Sequence, residues 1–194
     1  MKRAAIALVA FLLIGTAFGQ TNDHKEFPTT EEITLVVTQA ERVFAEYGQS
    51  VEFEASLPSA QRNPSSLEND KQVVKLSAEI IGGLKKKPGI FNGLGGLLLL
   101  TTLDDASRNA ALCASSGMSD IGSEILKPHP DTSLGYRILS ITEKCNDVST
   151  HIYTVSESVN ALVVRTVEAQ QELNGQMMDT LTKCAAAMQA NVHK

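Results

Sequence analysis

The amino-acid sequence predicts an all-α fold, an antiparallel bundle of about four helices with a long coiled-coil-like C-terminal helix. Three observations carry this expectation. One apolar seam runs Leu134, Ile138, Ile141, Cys145, Val148, Ile152, Val155, Val159 and Leu162 at strictly alternating steps of four and three. That is the repeat of a helix lying along a partner at a shallow angle. Three segments upstream also carry apolar residues at helical spacing. Aromatic residues make up only 5% of the chain and Trp is absent, thin for a β-sandwich core and usual for helices packed through Ala, Leu and Val.

The chain opens on a targeting pattern. Lys2 and Arg3 precede an apolar run from Ala4 to Ile14, and Ala17-Phe18-Gly19 puts small residues at the cleavage positions. Residues 1–19 therefore read as a secretory signal peptide cut after Gly19. Gln20, not Cys, stands immediately after that site, so a bacterial lipid anchor is not expected. Residues 20–28 read as a disordered leader and residues 29–190 as a single helical-bundle domain. About 175 residues remain after cleavage, enough for one core and short for two.

The first helix starts beyond Pro28, where Thr29 and Thr30 offer hydroxyl caps and Glu31 and Glu32 suit the positive dipole end. Ile33, Val36, Val37, Ala40, Val43, Phe44 and Tyr47 form its apolar face. Val51, Phe53, Ala55 and Leu57 then alternate like a strand. No second strand exists to pair with them, so a frayed helix end or extended linker is expected. Residues 58–66 read as a loop, and Ser65 with Glu68 as a capping box opening the second helix. Val73, Val74, Leu76, Ile80, Ile81 and Leu84 form its stripe, and Lys85, Lys86 and Lys87 complement its negative end before Pro88-Gly89 stops it.

The third helix is expected from Leu97, after the glycine-rich stretch 90–96. Its face is Leu99, Leu103, Ala106, Ala110, Cys113, Gly117, Ile121 and Ile125, with Gly117 a candidate break. Lys127-Pro128-His129-Pro130-Asp131 is the clearest turn in the chain. Beyond it the seam continues through Thr166, Ala169 and Leu173, and after one irregular step through Met177, Leu181, Cys184 and Met188. Thr166 fits because its methyl packs and its hydroxyl bonds back one turn. Asn174-Gly175 marks an expected kink or break, and Asn146-Asp147 a second candidate.

Three cysteines allow at most one intrachain bridge. Cys113 and Cys145 each lie sixteen residues from His129, the centre of the proline turn. A helical hairpin about that turn sets them opposite each other on apolar faces, so a Cys113–Cys145 disulfide is expected, with Cys184 free or intermolecular.

Chemistry-bearing patterns are sparse. His151 has Asp147 one turn earlier and Cys145 nearby, but a metal needs three or four convergent ligands. Asp104 and Asp105 are adjacent and diverge on a helix, so an ion pair of Asp104 with Arg108 is the better reading. Gly93-Leu94-Gly95-Gly96 lacks the Lys-Ser/Thr of a P-loop, the third glycine of a dinucleotide fingerprint and a preceding strand. No Gly-x-Ser-x-Gly elbow occurs, and Asn63-Pro64-Ser65 carries the proline that forbids glycosylation. No catalytic residue, cofactor or metal is expected.

Without Lys2 and Arg3 the chain holds 15 Lys+Arg against 22 Asp+Glu, a net charge of −7. That balance repels nucleic acid at long range. The longest low-charge stretch, 89–103, falls short of the ~20 residues a membrane span needs, so no transmembrane span is expected in the mature chain. The expected function is that of a secreted, non-catalytic bundle acting through protein–protein contacts or self-association. It would be extracellular, or periplasmic in a Gram-negative source. The alternative is an extracellular carrier of a small apolar ligand or lipid held near residues 89–103. There Phe91, Leu94, Leu97 and Leu98 would supply apolar or membrane contact, and Lys85, Lys86 and Lys87 would meet an acidic headgroup.

Overall fold

The computed structural model describes residues 25–58 and 64–192, so the expected signal peptide lies outside the described residues. The chain forms α1 (Thr30–Ala55), α2 (Pro64–Lys86), a 3₁₀ turn (Pro88–Asn92), α3 (Leu94–Ile125) and α4 (Thr132–Val192). These pack as an antiparallel bundle, with no strand among the described residues.

α1 begins with the reciprocal cap its sequence announces. The Thr29 hydroxyl accepts from the Glu32 amide at 3.2 Å, and the Thr29 amide donates to the Glu32 carboxylate at 2.8 Å. All seven residues of its apolar face are buried. The alternating segment that follows is helical to Ala55, against the expectation of fraying. Val51 is buried, Leu57 is buried just past the helix end, and Phe53 lies half-exposed beneath the Lys144 ammonium, 3.7 Å from the ring centre. The alternation makes no strand: Val51 is buried in the core from within the helix, and Leu57 is buried with Ile138 and Ile141 of α4 after the helix has ended.

α2 starts at Pro64, one residue ahead of the expected cap at Ser65. Proline suits the first helical turn because its missing N–H has no intrahelical partner there. Of its expected stripe, Val73, Ile81 and Leu84 are buried, whereas Leu76 is half-exposed. Leucines also start α3 earlier than expected, at Leu94. Gly95 and Gly96 are demanded by packing: a Cβ on Gly95 would lie 2.7 Å from the Ile90 carbonyl, and one on Gly96 3.0 Å from the Phe91 ring.

Gly117 does not break α3. Its missing Cβ admits Thr142 of α4, whose hydroxyl would lie 2.0 Å from such an atom. Leu99, Leu103, Ala106 and Ala110 are buried, Cys113 and Ile121 partly so, and Ile125 is largely exposed where α3 ends. The proline turn is organised by the buried Glu124 carboxylate, which holds the Lys127 ammonium and accepts from the Asp131 amide at 2.9 Å. Asp131 in turn caps α4 by accepting from the Leu134 amide at 3.0 Å.

α3 and α4 form the most extensive helix pair, and α1 lies along α4 in the opposite direction. Two apolar clusters result. The larger gathers α1, α2, α3 and α4 around Tyr47, Phe91, Leu99, Ile152 and Val159; the smaller holds Leu57, Ile138, Ile141 and Cys145 toward the proline turn. Cys113 and Cys145 join beside the smaller one, with an S–S distance of 2.06 Å and Cα atoms 6.0 Å apart. Along α4 the seam is buried from Ile138 to Val159, and Val163, Thr166 and Ala169 extend it, with Leu162 only partly covered. Thr166 behaves as its chemistry suggests, donating to the Leu162 carbonyl at 2.9 Å. α4 continues unbroken through Asn174-Gly175, against the kink or break expected there, and through Asn146-Asp147, where the seam runs on unchanged.

Candidate functional site

The strongest surface feature is the end of α4. Residues 173–188 are exposed without exception. The bundle stops below them. Its last ties to α4 are the paired hydrogen bonds of Arg165 to Glu32 and the salt bridge of Lys25 to Glu168 at 2.7 Å, with the Lys25 amide donating to Glu172 at 2.8 Å. Of the expected leader, residues 25–28 are thus held against α4, and Pro28 is buried. The arm beyond, residues 170–192, is about 35 Å of helix. Leu173, Met177, Leu181 and Met188 are between 50% and 65% exposed, and the free Cys184 shares their face.

A second apolar surface lies at the same end of the bundle, since Asn92 of the 3₁₀ turn accepts from Thr166 at 3.3 Å. The structure divides the residues assigned to it from sequence. Phe91 belongs to the core. Leu94, Leu97 and Leu98 are exposed, and Ile90 joins them. Lys85 forms a salt bridge with Glu41 at 2.7 Å, whereas Lys86 and Lys87 are exposed. The leucines needed to line an interior space, Leu99 and Leu103, are fully packed in the core instead.

Two polar groupings escaped the sequence reading. Tyr47 donates to the buried Asp70 at 2.7 Å and accepts from Asn109 at 3.3 Å, pinning α1, α2 and α3 together. Burial, then the Asp70 carboxylate, pushes the Tyr47 phenol far up, so it stays a neutral donor. Burial also raises the Asp70 carboxyl, with the Tyr47 and Asn109 hydrogen bonds opposing, and raises Glu54, aided by the Asp70 charge. A signal for this network was present: the α2 stripe extended backward one turn from Val73 lands on Asp70. The second grouping is an open groove between α1 and α4, about 350 Å³, lined by Arg42, Val43, Glu46, His151 and Val155 among others. His151 Nδ1 lies 2.9 Å from the Glu46 carboxylate.

Neither grouping assembles a reaction centre. The phenol is engaged with Asp70 and Asn109, and the groove has one imidazole whose carboxylate neighbour also meets Arg42 at 3.5 Å. Cys145 is committed to the disulfide and leaves His151 with no thiolate neighbour. Among the described residues no three His, Cys, Asp or Glu side chains converge as metal ligands. Asp104 pairs with Arg108 at 3.1 Å, an exposed intrahelical bridge. Among the described residues no helix is long and apolar enough to cross a membrane. No family model, no curated protein and no solved structure matches this chain.

Proposed function

We propose that this chain is an exported, non-catalytic helical protein that acts through protein–protein contacts or self-association, with the C-terminal arm of α4 as its contact surface. The observation that carries this reading is the run Leu173, Met177, Leu181, Cys184 and Met188, exposed on one face of a helix with no described neighbour above Glu172. An apolar strip of this length on an otherwise acidic protein is uncommon on surfaces that meet only water. Full burial is worth about 1.5–3 kcal/mol for each large side chain, so covering the exposed half of four of them supplies about 4 kcal/mol. Export is supported by the leader pattern of residues 1–19 and by a disulfide of the kind kept in oxidising compartments.

The test uses the full chain, produced with its own leader. Exported material should begin at Gln20, and in-place cross-linking should give species heavier than one chain. Met177→Asp combined with Leu181→Asp should abolish those species while the bundle melts as before. Protein retained inside the cell with its leader intact overturns export, and cross-linking indifferent to both substitutions overturns the arm as the contact.

A second reading rests on Ile90, Leu94 and Leu98, which are exposed beside Lys86 and Lys87 and suit an apolar ligand or lipid surface with an acidic head. Titration with a fatty acid or an environment-sensitive apolar dye should then show binding that Leu98→Gln weakens. No binding by the folded wild type removes this reading.

A further inference from the structure

We infer that the arm's occupant is a second copy of this chain, laid antiparallel, arm against arm; this rests on the reading of the arm as the contact surface. The first argument is continuity. At 100° per residue on a straight helix, Val155, Val159 and Thr166 fall within the same arc of about 80° as Leu173, Met177, Leu181, Cys184 and Met188. The first three are buried against the bundle, and the rest repeat their face with nothing on it. The exposed strip is the core-facing side of α4, prolonged past the ends of the helices that cover it. Its three charges, Glu172, Asp179 and Lys183, all fall on the opposite side of the helix.

The second argument is direction. α1 and α3 occupy this face of α4 up to the level of Ala169. A parallel copy placed on the same face would set its bundle where the first bundle already stands. An antiparallel copy places its bundle beyond Val192, and its arm fills the space above α1. The two arms are equal in length, so each covers the other fully.

The third argument is self-complementarity. Reversing the arm about residues 180 and 181 sets Leu173 against Met188, Met177 against Cys184, and Leu181 near its own counterpart. That is the residue-to-residue reciprocity a two-fold interface requires. Cys184 thus faces a methionine of the other copy and needs no disulfide to hold the pair.

Sedimentation of the full-length mature chain should show a concentration-dependent monomer–dimer equilibrium, with alkylation of Cys184 slowing as dimer forms. Met177→Asp places two charges in each dimer and should raise its dissociation constant by a hundredfold or more, on the order expected for unpaired buried charge, with bundle melting unchanged. Orientation is read from Met177→Cys, which leaves Cys184 in place. Mild oxidation should link Cys184 of one copy to the new thiol at position 177 of the other. Symmetric links, 177 to 177 and 184 to 184, mean a parallel pair and overturn the arrangement. A wild-type chain that stays monomeric up to its solubility limit overturns self-pairing. If its arm is then protected from hydrogen exchange, the cover comes from within the same chain and not from a second copy. If exported material cross-links to a different protein through the arm, the contact surface stands and only the self-pairing fails.

Discussion

Gly117 shows how a single absent side chain sets the distance between two helices. A Cβ there would lie 2.0 Å from the Thr142 hydroxyl and 3.2 Å from its Cβ. That hydroxyl is held in turn by the Ile138 carbonyl at 2.8 Å. Alanine would gain about 1 kcal/mol of helix propensity but meet overpacking of about 1–3 kcal/mol. Gly117→Ala is expected to lower the melting temperature, and adding Thr142→Ala should restore it. Equal loss in the single and double variants would place the clash elsewhere. Ionisable residues make an equally specific forecast. Hydrogen bonds from Arg165 and from Thr29 hold the Glu32 carboxyl down at about 2, so its stabilising contribution is complete above its ordinary 4.5 and lost as pH falls toward 2. Glu124, lowered by Lys127 and the Asp131 amide, acts in the same direction. Asp70 and Glu54, raised chiefly by burial, have the opposite sign. The folded state takes up their protons first, so stability rises as pH falls through their raised values. Thermal melts from pH 7 to 2 should rise slightly before falling. Asp70→Asn should flatten the rise and Glu32→Gln should soften the fall. A monotonic decline unaffected by Glu32→Gln would contradict this.

At the scale of the element, α4 is one helix with two environments. Its residues 138–169 lie against the bundle, and those from 173 onward lie against nothing described, although both carry the same apolar face. Val159 is fully buried in the larger cluster. Val159→Asp should place an unpaired charge in a dry seam and cost more than about 4 kcal/mol, unfolding the domain at ordinary temperature. Leu181→Asp, at the equivalent face of the arm, should leave the melt of the bundle unchanged. Circular dichroism melts of the two variants decide this directly, and a soluble Val159→Asp chain with wild-type melting would show that the seam is not the core.

The whole molecule is held at two places. The larger cluster joins all four helices, while toward the proline turn only α3, α4 and the end of α1 meet around Leu57, Ile138 and Ile141. The Cys113–Cys145 bridge closes the thinner region. Its sequence separation of 32 corresponds to at most about 4 kcal/mol of loop-closure entropy. Replacing both cysteines by alanine should therefore speed hydrogen exchange most in residues 114–144, with protection around Val155 and Val163 falling less. Uniform loss along α3 and α4 would mean that the two clusters open as a single unit.

By itself the sequence determined the faces of the helices, because burial follows the 3.6-residue period whatever the partner. The seam from Ile138 to Val159, the buried face of α1 and the opposition of Cys113 to Cys145 about His129 are all of this kind. Tertiary structure alone decided how far each face is covered. The period from Leu173 to Met188 reads like that from Ile138 to Val159, yet α1 and α3 end at the level of Ala169 and leave it bare. Register alone was equally silent on Gly117 and Asp70, whose roles depend on what the opposing helix brings to within a few ångströms. The apolar strip of the arm was visible in the sequence as a continued seam, but its exposure was not. Periodicity reports which side of a helix is apolar, and only the lengths and packing of its neighbours determine where that side is left open to a partner.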